Sequence, residues 1–174
     1  MIIEITRLID RWLKHDVYGV GAMLQSVERF TPEGDEDEMP EIPSIFNDTE
    51  DEMGDLMEPI KTPALVTFCA RGPTVNLRDK LYQRGGQAIA YVTYITRDVP
   101  DLMAARDGNY VLRAAKKSLT AYNSYAQAIQ YRKLNNILIA ELGDLTEFQT
   151  RSSVGRSKMW GFVQVNVRVV DSNP

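Results

Sequence analysis

The chain has 174 residues, 44% of them hydrophobic, with one cysteine and one histidine. That length suits one well-formed core and is short for two. Cys69 alone excludes an internal disulfide, and Cys69 with His15 is too small a donor set for a zinc site. The net charge of −4 conceals a split: twelve acids and no Lys or Arg fall between Thr31 and Ile60. Of 20 bases and 24 acids in all, the remaining residues therefore carry +8, so an acidic insertion rides on a basic body.

Nothing in the chain reaches the ~18 consecutive uncharged apolar residues of a membrane span, and the N-terminus MIIEITRLIDRWLK carries acids inside its apolar pattern, unlike a secretory signal. A soluble protein made inside the cell is expected. Ile2, Ile5, Leu8, Ile9, Trp12 and Leu13 recur at helical spacing, with Glu4, Arg7, Asp10, Arg11 and Lys14 opposite, which predicts an amphipathic helix. His15 and Asp16 close it, and Gly19 and Gly21 break the pattern. The next stretch, Ala22 to Phe30, fits either a strand or a short helix.

Thr31 to Ile60 holds Pro32, Pro40, Pro43, Pro59 and two glycines besides its acids, a composition that predicts a mobile insertion without regular structure. Its apolar members Ile42, Ile45, Phe46, Met53, Leu56 and Met57 exceed what a solvating loop needs and suggest docking onto a neighbour. Pro63 to Arg71 reads as a strand, and Gly72 to Gly86 as the long connection of a hairpin carrying Arg78, Lys80, Tyr82 and Arg84. Gln87 to Thr96 has apolar residues on both parities, as in a central strand covered on both faces. Asp98 is placed to cap a helix opened by Pro100 and Asp101. Within that helix Leu112, Ala115, Leu119 and Tyr122 share a face, Arg113, Lys116 and Lys117 point to water, and Gly108 marks a bend or restart. Ala126 to Lys133 reads as irregular, Asn136 to Phe148 as a strand interrupted at Gly143-Asp144, and Gln149 to Lys158 as a turn. Last, Met159, Val163, Val165, Val167 and Val169 alternate with Gln164, Asn166 and Arg168, a strand with one buried and one wet face.

The predicted fold is a single α+β domain over residues 1–174, a mostly antiparallel sheet of about four to five strands with helices on one side, plus the acidic insertion at 31–60. No catalytic constellation stands out. A nucleophile–base pair would have to use the one histidine at a helix end, no G-x-S-x-G elbow exists, and Gly19-Val20-Gly21 follows a helix, the wrong context for a dinucleotide loop. Asp48, Glu50, Glu52 and Gly54 depart from a calcium loop in spacing and ladder length. Arg71, Arg78, Lys80 and Arg84 around Tyr82 suit phosphate, a protein partner or simply a solvated hairpin tip, and the acidic overall charge and the lack of a row of exposed aromatics on the strands favour the last two.

The order of elements, with RWLKHDV ending the first helix, then PALVTFCARG, GGQAIAYVTYITRD, a helix opened by DVPDL, and a closing WGFVQVNVRVV, resembles the tail-terminator (tail-completion) proteins of long-tailed bacteriophages. The likeness is one of layout and covers the chain apart from Thr31 to Ile60. It implies a non-enzymatic virion protein, made in the host cytoplasm, needing no cofactor and touching no membrane. Such a protein forms a six-membered ring on the tail tube, stops its growth and meets the head–tail connector, while genome DNA passes the lumen without sequence-specific binding. Partners would be other copies of itself, the tail-tube protein and the neck. Contact residues expected from the chain itself are Arg78, Lys80, Tyr82, Arg84, Gln164, Asn166 and Arg168, with Ile45, Phe46, Leu56 and Met57 of the insertion. Two other roles fit the same composition: a head-completion or connector-adaptor protein, and a nucleic-acid-binding regulator using the +8 body.

Overall fold

The computed structural model describes residues 2–27, 40–47, 62–74, 85–96, 101–128, 137–146, 150–151 and 158–170. Helix α1, Ile2–Leu13, forms where the apolar spacing predicts it. Ile5, Leu8, Ile9, Trp12 and Leu13 are buried. Asp10 departs from the prediction: it is 4% exposed, and its neighbour on the helix surface, Thr6, is fully buried. The cause is enclosure. Two strands and the long helix all contact α1, so its buried arc is wider than one stripe, and among its residues of described burial Glu4, Arg7 and Arg11 keep to the outside. The ambiguous stretch that follows resolves to a single helical turn, α2, Val20–Leu24, with no strand at Ala22–Val27.

Strand β1, Ser44–Asn47, lies within the stretch read as an insertion, of which the structure describes only 40–47. Its four residues run parallel to the start of β2, Ala64–Thr74, in the register Ser44↔Ala64 to Asn47↔Thr67. SIFN carries no charge and two β-prone side chains, so it can pair once β2 offers an edge, whatever the acids around it do. Ile45 is half-buried and packs against the core. Ile45→Ala is expected to lower stability by about 1–2 kcal/mol, less than the full burial figure because the side chain is only half-buried. An unchanged urea midpoint would show that β1 contributes nothing to the core.

Strand β3, Gly85–Thr96, pairs antiparallel with β2 on one side and with β6, Lys158–Val170, on the other. Between them in sequence come α3, Asp101–Ala128, strand β4, Ile137–Thr146, and the two-residue β5, Thr150–Arg151. The sheet order is β1-β2-β3-β6-β4, with β5 pairing β6 off this path. All pairings but β1–β2 are antiparallel, so the α+β architecture stands as expected.

All three described helices join the cluster that buries one face of this sheet. Leu65, Ala88, Ala90, Val92, Tyr94, Ile139, Val163, Val165 and Val167 face Ile5, Trp12, Val20, Leu24, Val111, Leu112, Leu119 and Tyr122. β3 is therefore central, but among the described residues helices pack on one of its faces only. Its second set of apolar residues, Ile89, Tyr91 and Ile95, lies half-buried on the helix-free face. α3 runs 28 residues, about 42 Å at 1.5 Å per residue, and passes through Gly108 without a restart. Packing along the whole helix tolerates the ~1 kcal/mol that one interior glycine costs. It also continues through Ala128, into the stretch expected to be irregular.

Three of the described strands carry irregularities that shift their phase, the first being β2, where the register against β3 shifts between Cys69 and Arg71 and again between Arg71 and Thr74. In β4 the register moves from Leu142↔Val165 to Leu145↔Val163, so Gly143-Asp144 is a bulge within one strand. In β6, Thr93↔Phe162 is followed by Ile95↔Met159, placing Trp160 and Gly161 opposite one residue. Gly161 has φ 102°, the left-handed backbone that a bulge of this kind requires and that glycine adopts without strain. Met159 is consequently out of phase with Val163, Val165 and Val167, against the simple alternation read from the sequence.

Buried hydroxyls mark one further departure from an ideal core. Thr67 and Thr93 are 0% and 2% exposed, and neither Oγ1 has a hydrogen-bond partner among the described residues. Thr67→Val should raise stability by about 0.5–1 kcal/mol, because it exchanges an unsatisfied buried hydroxyl for a methyl of similar size. A destabilised variant would mean that the hydroxyl is satisfied after all.

Candidate functional site

The surface that the helices leave uncovered is built by alternation on β2, β3, β6 and β4. Register places Phe68 opposite Tyr91, Tyr91 opposite Gln164, and Thr93 opposite Phe162. Phe68 and Tyr91 stack with ring centroids 5.3 Å apart, and Phe162 meets Tyr91 edge-on at 5.0 Å. Three strands thus contribute one half-buried aromatic row. The sequence offers each residue but not the row, because only the strand register aligns them. Aromatic pairs of this geometry contribute about 0.5–1.5 kcal/mol beyond their burial.

Beside this row the face becomes polar. Gln164 Nε2 donates to Asn166 Oδ1 at 3.0 Å, and Asn166 Nδ2 donates to Glu141 Oε2 at 3.5 Å. Arg168 follows on β6, exposed, opposite Gln87 of β3 and Leu138 of β4. The wet face of β6 predicted from Gln164, Asn166 and Arg168 is therefore present, with the first two half-buried and tied to each other. Glu141 belongs to this set and has no signal in the sequence, since a bulge at Ala140 sets its phase.

Arg78, Lys80, Tyr82 and Arg84 lie outside the described residues, as do Leu56 and Met57 and the acidic ladder Asp48 to Gly54. The strands that flank the hairpin connection are described: Thr74 pairs with Gln87, and Gly85 with Val170. The register thus sets Thr74 and Gly85, the described ends of β2 and β3, at the end of the sheet that also carries Arg168. β1 lies along Ala64–Thr67, toward the opposite end, with Ile45 turned to the core and Phe46 at the register position of Val66.

A second cluster sits where α1 turns into α2. Trp12 stacks on Tyr18 at 5.5 Å and meets Tyr122 edge-on at 5.2 Å, and Tyr18 stacks on the exposed Tyr125 at 4.5 Å. His15 lies 5.5 Å from Trp12 and 5.2 Å from Tyr18, ring to ring. Its Nδ1 accepts the backbone N–H groups of Val17 at 3.1 Å and Tyr18 at 3.3 Å. The imidazole thereby works as a turn cap, in the way an Asn or Asp side chain does. Trp12 Nε1 donates to Ser118 O at 2.8 Å, and Ser118 Oγ donates to Tyr18 O, so helix α3 is fastened to this turn at one residue.

Cys69 is half-buried and packs against the core beside Ala90, a space-filling position. Asn123 of α3 reaches β4, where its Nδ2 donates to Ile139 O and Ile139 N donates to its Oδ1 at 3.2 Å. Among the described residues no cluster of three His, Cys, Asp or Glu is placed to hold a metal ion. Among them, too, no helix is long and apolar enough to cross a membrane. No family model matches the chain, and no curated protein matches it in sequence.

Proposed function

We propose that this is a structural virion protein of a long-tailed bacteriophage, a non-enzymatic ring subunit that caps the tail tube and joins it to the neck. The observation that carries the reading is the one-sided sheet. Helices bury one face, while the other presents an aromatic row and a polar ladder ending at Arg168, beside the root of a basic hairpin connection. A closed ring needs two different surfaces of one subunit to meet. The chain's opposite charges, twelve acids within 31–60 against a +8 remainder, favour such head-to-tail contact. The layout resemblance supplies the particular ring and its partners, the tail-tube protein and the head–tail connector.

Native mass spectrometry at high protein concentration, and electron microscopy of tail ends, should show closed rings of six copies. Arg168→Glu, an exposed change at the proposed contact, should weaken ring formation about tenfold, equivalent to ~1.4 kcal/mol, without moving the thermal midpoint. A protein that stays monomeric at every concentration and is absent from particles would overturn the proposal.

A further inference from the structure

We draw no further inference here: the strongest candidate, the helix-free sheet face where Phe68, Tyr91 and Phe162 meet, is an apolar face for which nothing in the structure shows what covers it.

Discussion

Gly19→Ala is expected to cost about 3 kcal/mol or more, through forced overpacking and the loss of turn hydrogen bonds. The backbone at Gly19 is extended, φ −74° and ψ 178°, which any residue adopts. Space forbids the substitution. A Cβ there would lie 2.4 Å from both His15 O and Leu13 O and 2.7 Å from His15 N, all backbone atoms that cannot rotate away. The turn must therefore open, straining the bonds Gly19 N to His15 O, 2.8 Å, and Met23 N to Gly19 O, 3.1 Å. Gly21 is the control. The nearest atoms to its added Cβ are side-chain carbons of Ile42 at 3.6 and 3.9 Å, an ordinary contact, so Gly21→Ala should be neutral or gain up to about 1 kcal/mol of helix propensity. Urea unfolding of the two variants decides the matter: equal midpoints would refute the steric account.

A loss of about 3–5 kcal/mol is expected for Trp12→Ala, a large share of the ~5–15 kcal/mol by which domains are stable. Trp12 is fully buried, touches the rings of Tyr18 and Tyr122, and bonds Ser118 O across 106 residues of chain. Its removal leaves a cavity between α1 and α3 and a carbonyl without its donor. Trp12→Phe separates the two effects, since it retains most of the packing and forfeits the hydrogen bond, a change of about 1–3 kcal/mol. Near-UV circular dichroism and denaturant unfolding give the measurement. A Trp12→Ala protein as stable as the parent would mean that the α1–α3 contact is not part of the folded core.

What could be read from the sequence follows the range of the forces involved. The face of α3 at Leu112, Ala115, Leu119 and Tyr122 and the alternation of Val163, Val165 and Val167 are legible because each element has one dominant partner surface, which imprints a period on the residues, and in α1 the same rule finds the apolar stripe but not its full width. Asp10 breaks the rule because two strands and the long helix all contact α1, and a helical wheel assigns one side to water. β1 was hidden by its surroundings: four residues paired to β2 are outweighed, in any window, by the prolines and acids around them. The phase of Met159 depends on a bulge that one glycine permits. The aromatic row depends on register across three strands, information that no single segment contains. The sequence places His15 at a helix end, but its service as a backbone acceptor is a matter of atoms.

The amide of Asn123 gives Ile139 the donor and the acceptor that a neighbouring strand would otherwise supply. β4 ends the sheet, and an open edge is a template on which another chain can add a strand and begin to aggregate. With Ile139 satisfied from within, and bulges at Ala140 and Gly143-Asp144 bending the line beyond it, an incoming strand finds no long straight run of vacant backbone groups on the described part of this edge. The long helix thus acts as a terminal strand would, one residue at a time, and gives β4 a guard against uncontrolled growth that does not depend on surface charge.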